Sequence, residues 1–432
     1  MQRNWFLGDL LTQLFDRPGQ MRGKDDPRSI TDLCDALLSA EGEVSGFKLA
    51  TTVLDRYRAL EDEDKLAFFK YLNEALEIDP DLVADLATQY ANDRSIEGFT
   101  RLSHAAEPRR QELLRRLNQP TGATQELVAM RVDLLRFVKS HPDLRRTDFD
   151  FVHLLRSWFN RGFLVLKQIS WDTPARILDK IVAYEAVHRI SDLEDLRRRL
   201  YPPDRRCFAF FHPSMPDEPL IFVEVALTAD VPGSVDELLS ERREPLQADQ
   251  AAVAVFYSIS NCQKGLAGIS FGNLLIKQVV AELALETPSI QTYVTLSPIP
   301  GLHRWLATQR EDAAHGHVAQ AILANTAPPD DLRAMAARYL LLAKRDDGLP
   351  VDPVARFHLG NGAEVHDLHA SADTSDNGMA QSGGAMVNYL YDLKHTERQH
   401  EDFATKGTVA ASRAVQTMSN AAFDTPLKEK TA

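Results

Sequence analysis

Two glycines, Gly268 and Gly272, flank Ser270 where an apolar run gives way to an amphipathic one. Glycine lets a backbone approach a ligand closely, and the first N–H groups of a helix have no internal partners. Such a terminus can hold a phosphate. The same glycines can equally serve a tight connection between a strand and a helix. Further on, Ser297 opens the run Ser297-Pro298-Ile299-Pro300-Gly301, and His358 lies in Arg356-Phe357-His358-Leu359-Gly360-Asn361-Gly362. Tyr391 ends Asn388-Tyr389-Leu390-Tyr391. An imidazole is the natural proton donor near neutral pH. Taken alone, a serine before Pro-x-Pro is an ordinary turn residue, and a single histidine in a loop is an ordinary structural one. No Gly-x-Ser-x-Gly elbow surrounds Ser297 and no acid stands out to orient His358, which argues against a serine hydrolase. His315 and His317 have the character of metal ligands, but no third ligand stands out, so no metal site is expected.

The elements that must position these residues are legible nearby. Residues 252–259 are apolar and mostly β-branched or aromatic, which predicts a buried strand. Leu275, Val279 and Leu283, with Ile276 and Val280 beside them, predict a helix from Phe271 or Gly272 to Glu286. Residues 291–296 predict a second strand, stopped by two prolines and a glycine. Residues 353–365 read as loop and strand, with Asn361-Gly362 marking a turn. Residues 371–384 are rich in Ser, Asp, Gly and Asn and read as a surface loop or a lid.

Residues 29–155 read almost entirely as helices. Ser29 to Asp32 resembles a helix start with an acid in its first turn. Stripes follow: Leu33, Leu37 and Leu38; Leu66, Phe69, Leu72 and Leu76; Leu82, Leu86 and Tyr90; Leu127, Met130 and Leu134. Their breaks are spaced as in an antiparallel bundle, and the stripes are expected to be core. Packing or self-association is the role expected of this region, rather than catalysis. A boundary falls near 161–163, a hairpin is expected from residues 207–211 and 220–228, and a helix over 328–342. Antiparallel strands feeding a strand–helix–strand unit predict an α+β domain. Arg197, Arg198, Arg199, Arg205 and Arg206 form the most basic spot. It reads as a solvated helix face, with contact to adenosine phosphates as the alternative. After His395 the chain reads as a polar tail, disordered beyond Phe423.

Composition narrows the function. With 432 residues, 44% hydrophobic and 26% charged, the chain is globular and long enough for two or three domains. A formal charge of −13 argues against general nucleic-acid binding. An anionic ligand must therefore be held by local donors. Three separated cysteines, Cys34, Cys207 and Cys262, suit a reducing compartment and form neither a disulfide framework nor a metal motif. No stretch is long and apolar enough to span a membrane. The amino terminus lacks the pattern of a secretory signal and the chain ends Lys-Glu-Lys-Thr-Ala, so a cytoplasmic location is expected.

Several long motifs together carry a resemblance. VFYSIS, GLAGISFGNLLIK, TLSPIPG and DPVARFHLGNGA, preceded by RSWFNRGFLVLKQISWDTP and EAVHRISDLEDLRRRL, resemble the malonyl-CoA decarboxylases in order and spacing. The resemblance covers roughly residues 150–392. It implies a catalytic half with the fold of coenzyme A-dependent acetyltransferases, here residues 164–432 with a helical insertion near 306–350, after a helical bundle domain at 1–163. The acetyltransferase phosphate loop then falls on Ala267, Gly268, Ile269, Ser270, Phe271, Gly272 and Asn273. Ala267 and Ser270 depart from its polar and glycine positions, while the backbone donors survive.

The resemblance also implies catalytic roles for Ser297 and His358, with Tyr391 orienting the pocket. It implies decarboxylation of malonyl-CoA to acetyl-CoA through a thioester enolate, with coenzyme A entering as part of the substrate. No separate cofactor is then needed, because the thioester is the electron sink. Relatives assemble, so a homo-oligomer is expected. Two other classes remain open at this point: an N-acyltransferase using the same cradle, and a coenzyme A-binding protein without chemistry.

Overall fold

The computed structural model describes residues 26–40, 42–269 and 275–421. They divide by packing into two units. One comprises the described part of residues 1–160 with Gln263–Ile269; the other takes the described part of the remainder.

The first unit is helical: α1 (Ile30–Ser39), α2 (Glu43–Arg58), α3 (Asp62–Glu74), α4 (Pro80–Asp93), α5 (Ile96–Ala105), α6 (Arg109–Leu117), α7 (Ala123–Phe137) and α8 (Arg145–Trp158). The start of α1 is a reciprocal cap. Ser29 Oγ accepts the Asp32 N–H at 3.1 Å, and the Asp32 carboxylate accepts the Ser29 N–H at 3.2 Å. Leu33, Leu37, Phe69, Leu72, Leu127 and Leu134 are all buried, as their spacing predicts. Leu82 departs from its expected core place and is 48% exposed, because α4 buries only Leu86.

This unit also does something its leucine pattern does not announce: it holds residues 263–269. Arg131, buried on α7, donates to the carbonyls of Gly265 at 2.7 Å and Ala267 at 2.9 Å, with Asp148 at 2.7 Å as its counter-ion. Gly265 is required there, since a Cβ would lie 1.9 Å from the Val128 carbonyl oxygen.

The second unit is α+β. Its elements are β1 (Val165–Ile169), α9 (Ala175–Tyr184), α10 (Leu193–Leu200), β2 (Arg205–His212), β3 (Met215–Thr228), β4 (Val253–Asn261), α11 (Leu275–Glu286), β5 (Thr292–Thr295), β6 (Ser297–Pro298), α12 (Leu302–Thr308), α13 (Gly316–Leu323), α14 (Pro329–Leu342), α15 (Pro353–Gly360), β7 (Glu364–His369), α16 (Asp376–Ser382), β8 (Met386–Leu390), α17 (Thr396–Lys406) and α18 (Arg413–Ser419). The sheet runs β1-β2-β3-β4-β5-β8-β6, with β7 paired to β8. β1 to β4 are antiparallel neighbours, and β4 and β5 are parallel over four residues. A helical region followed by a mixed sheet is the α+β class expected.

Two local expectations fail for identifiable reasons. Residues 353–360 form a helix, not a loop: Asp352 caps it, accepting the Ala355 N–H at 2.8 Å, and Pro353 supplies its first turn. The chain after His395 is not a bare tail. Phe403 and Val415 are buried in the main core, so α17 and α18 pack. The expected disorder beyond Phe423 lies outside the described residues.

The arginine spot is neither a solvated face nor a phosphate site throughout. Arg199 is buried and meets Glu224 at 3.1 Å, Asp195 at 3.3 Å and the His188 carbonyl at 2.8 Å. Arg205 is buried and donates to the Leu238 carbonyl at 2.6 Å.

Candidate active site

Ser297 and His358, 61 residues apart, are in contact: Ser297 Oγ lies 3.2 Å from His358 Nε2. The other ring nitrogen, Nδ1, lies 2.8 Å from the Tyr391 hydroxyl. All three side chains are buried, at 6%, 3% and 3% exposure, so water competes little for these bonds.

The local sequence explains the placement. On α15, Ala355, His358 and Leu359 share the buried face at helical spacing. The helix stops at Gly360, and Gly362 just beyond it turns the chain, with φ of 81° and no room for a side chain; a Cβ would lie 2.0 Å from the Thr396 carbonyl oxygen. Ser297 begins β6, where it pairs with Val387 of β8, and Tyr391 follows β8 directly. Thus β8 ties the serine strand to the tyrosine.

Sequence reasoning missed two side chains here. Thr295 Oγ1 accepts a hydrogen bond from Ser297 Oγ at 2.8 Å and another from the Tyr389 N–H at 3.2 Å. The Tyr389 ring stacks on the His358 imidazole, with centroids 4.5 Å apart and planes at 23°. The signal was available. Strand residues two apart face the same side, which places Thr295 with Ser297 and Tyr389 with Tyr391.

Ser297 and His358 open on a cavity of about 390 Å³, lined also by Val187, Phe256, Ile259, Asn261, Val354 and Phe357. None of the described residues lining it is Lys, Arg, Asp or Glu. Burial, unopposed by any nearby charge, holds the His358 pKa down at about 3, so the ring is neutral at physiological pH. Burial also pushes the Tyr391 hydroxyl well above its ordinary range. The arrangement is a chain of neutral donors and acceptors facing an apolar space. It can stabilise an oxyanion and move a proton, and among the described residues its lining holds no fixed cation for a carboxylate.

Of the expected phosphate loop, Ala267, Gly268 and Ile269 are described; Ser270, Phe271, Gly272 and Asn273 lie outside the described residues. Gly268 adopts φ of 77°, with open space where a Cβ would be. His315 does not meet a metal-like set: its Nδ1 lies 2.6 Å from Asp312, and no cluster of three or more potential ligands occurs among the described residues. No helix among the described residues is long and apolar enough to cross a membrane.

Comparison with known proteins identifies the class. Residues 162–430 match the family model for the malonyl-CoA decarboxylase C-terminal domain, and residues 76–159 match that for its N-terminal domain. The protein is a carbon–carbon lyase of the carboxy-lyase class. A crystal structure of malonyl-CoA decarboxylase from Rhodopseudomonas palustris is 50% identical, covers 90% of this chain and all of its own, and superposes with a TM-score of 0.85. The Agrobacterium vitis malonyl-CoA decarboxylase structure is 47% identical over 90% of this chain and 99% of its own, also with a TM-score of 0.85. The goose (Anser anser anser) mitochondrial malonyl-CoA decarboxylase is 33% identical over 74% of this chain and 71% of its own length. The chain belongs to the malonyl-CoA decarboxylase family.

Proposed function

We propose that the chain decarboxylates malonyl-CoA in the cavity beside Ser297 and His358. The C–C bond to the carboxylate breaks, carbon dioxide leaves, and its electron pair passes to the α-carbon as a thioester enolate. One proton then completes acetyl-CoA. The thioester is the electron sink, so this reaction calls on no second organic cofactor.

The observation that carries the reading is the neutral Ser297–His358–Tyr391 chain facing an uncharged cavity. A substrate carboxylate set against Val354, Phe357 and Ile259 meets no counter-charge among the described lining residues that would stabilise it before it leaves. An imidazole N–H meets the oxyanion only as charge develops, which lowers the barrier rather than merely tightening binding. One such positioned donor contributes about 3–4 kcal/mol. His358 Nε2–H then gives its proton to carbon as Tyr391 O–H leans onto Nδ1; a proton from solvent restores Nε2–H and Tyr391 keeps its own, so each turnover consumes one proton. Ser297 relays or holds the substrate oxygen.

Residues 267–273 are the part of the chain we assign to the coenzyme pyrophosphate. The left-handed Gly268 and the helix that is in place from Leu275 support this. A homo-oligomer is part of the same reading, supported by apolar Leu82, Ile96 and Phe99 exposed on α4 and α5. A reducing, cytoplasmic setting suits three cysteines that are free and buried.

The test is carbon dioxide release from malonyl-CoA by the purified protein without an amine acceptor, with methylmalonyl-CoA and free malonate as comparators. Release from malonyl-CoA and not from malonate is expected. No release, or release only when an amine is acylated, would remove the reading.

A further inference from the structure

A serine hydroxyl has one proton to give. In this molecule the Ser297 proton is directed at Thr295 Oγ1, 2.8 Å away. Ser297 Oγ therefore faces His358 Nε2 as an acceptor, at 3.2 Å, and the proton between them belongs to the ring. A neutral imidazole with a proton on Nε2 has its lone pair on Nδ1. That is where the Tyr391 hydroxyl lies, at 2.8 Å. The chain then has a single direction: Tyr391 O–H to Nδ1, Nε2–H to Ser297, Ser297 O–H to Thr295.

The direction of the last link is set by the Ser297–Thr295 geometry. Thr295 Oγ1 also accepts the Tyr389 N–H at 3.2 Å, which holds its hydroxyl in place beside Ser297. Thr295 is fully buried, and its carbonyl is held by the Asn388 side-chain amide at 2.9 Å. Strands β5 and β8 share only the Val294–Leu390 register pair, so Thr295 side-chain and backbone groups take over the pairing where the ladder opens. The residue is anchored on both sides and cannot turn away from Ser297 without leaving buried groups unpaired.

We propose that Thr295 is a positioning residue: it fixes the proton of His358 on Nε2, toward the cavity, and keeps Ser297 from acting as a nucleophile activated by that ring. A serine whose neighbouring imidazole nitrogen already bears a proton has no base to take its own. This separates the chain from a hydrolytic serine–histidine pair of the same two residue types. The inference rests on the reading of the Ser297–His358 cavity as the catalytic one, but its primary readout needs no substrate.

The experiment is nitrogen-15 NMR of histidine-labelled protein. His358 is assigned among the 13 histidines by its disappearance in a His358→Gln variant. The native ring is expected to be neutral with the proton on Nε2. In Thr295→Val the Ser297 proton has only Nε2 left to meet, so the tautomer should shift toward Nδ1–H. kcat on malonyl-CoA should fall roughly ten- to a hundredfold, with KM changed by less than about twofold. Thr295→Ser, which restores the oxygen without the methyl group, should recover both.

A native Nδ1–H tautomer overturns the proposal, and that result needs no variant to fold. An unchanged tautomer in Thr295→Val, or a Thr295→Ser protein as impaired as Thr295→Val, overturns it too. A protein with the expected tautomers that releases no carbon dioxide would instead sink the decarboxylase reading and leave the role of Thr295 standing.

Discussion

Around Arg199 the sheet unit buries ionisable groups in contact with one another; the hydrogen-bond chain through His358 contains none, and the buried Asp352 nearby is the cap of its helix. The Arg199 guanidinium, 4% exposed, sits among Glu224 and Asp195, and the nearby Glu185 carboxylate is held by the hydroxyls of Ser258 and Ser260 and by the N–H groups of Val187 and His188. Burial, then the proximity of Glu185, pushes the Glu224 carboxyl up to about 8. The His358 chain is equally buried, yet every member is neutral at physiological pH. Removing one ion of a buried charged set leaves the others uncompensated, so such a set resists change. A neutral hydrogen-bond chain has no such cost at rest, and its donors are free to answer a charge that exists only while the enolate does.

If that division is right, the largest effect comes from emptying the neutral chain. His358→Ala should lower kcat about 10²- to 10⁴-fold while leaving the far-ultraviolet circular dichroism spectrum and coenzyme A binding in place. A variant with wild-type turnover would remove His358 from the chemistry. Emptying the charged set should act on stability instead. Arg199→Met removes the buried guanidinium that meets Asp195, the His188 carbonyl and Glu224, leaving those acceptors unpaired, and should cost about 3–5 kcal/mol, measured by urea unfolding. A smaller loss accompanied by a comparable loss of kcat would erase the distinction between the two clusters.

Much of this contrast could be read from residue order, and its limits have physical causes. Ser297 and His358 are identifiable within long motifs, but their meeting across 61 residues depends on β8, whose pairings no local pattern reveals. The helix beneath His358 was announced by Asp352-Pro353 and masked by the turn signal of Asn361-Gly362 just beyond it. Thr295 was accessible from strand alternation, because it stands two residues before Ser297. Arg199 was not. A run of three arginines on a short helix reads as solvated unless one knows that β3 brings Glu224 beneath it. The leucine stripes gave the helical unit its core, but nothing in them showed that Arg131 grips the carbonyls of Gly265 and Ala267.

A third intervention makes the neutral cavity resemble the charged set. Val354, on the cavity wall, becomes a cation in Val354→Lys. A cation there would stabilise the malonyl carboxylate before it leaves. Such a variant should lower KM while lowering kcat roughly ten- to a hundredfold, the pattern of ground-state stabilisation. Steady-state kinetics decide it: an unchanged or raised kcat would mean that the absence of charge in the cavity is incidental.

The smallest effect is a slope rather than a step. In the folded protein Glu224 keeps its proton up to about pH 8, whereas a carboxyl in the unfolded chain gives it up near its ordinary value of 4.5. Its contribution to stability is therefore complete below 4.5, declines as pH rises, and is flat above about 8. His358 works in the opposite sense. Its pKa is held at about 3 against an ordinary 6.5, so the unfolded state binds the extra proton and stability rises with pH across that range. Burial lowers the pKa of His188 as well, adding to the same trend. The opposing slopes overlap between 4.5 and 6.5, which leaves pH 6.5 to 8 as the window in which Glu224 is seen without them. There the wild-type protein should lose up to about 1.4 kcal/mol per pH unit from this group. Glu224→Gln, which keeps the shape and cannot ionise, should remove that slope and gain on the wild type as pH rises. Urea midpoints of the two proteins at pH 6.5, 7.2 and 8 measure it, and parallel curves would mean that Glu224 ionises no later in the folded protein than in the unfolded chain.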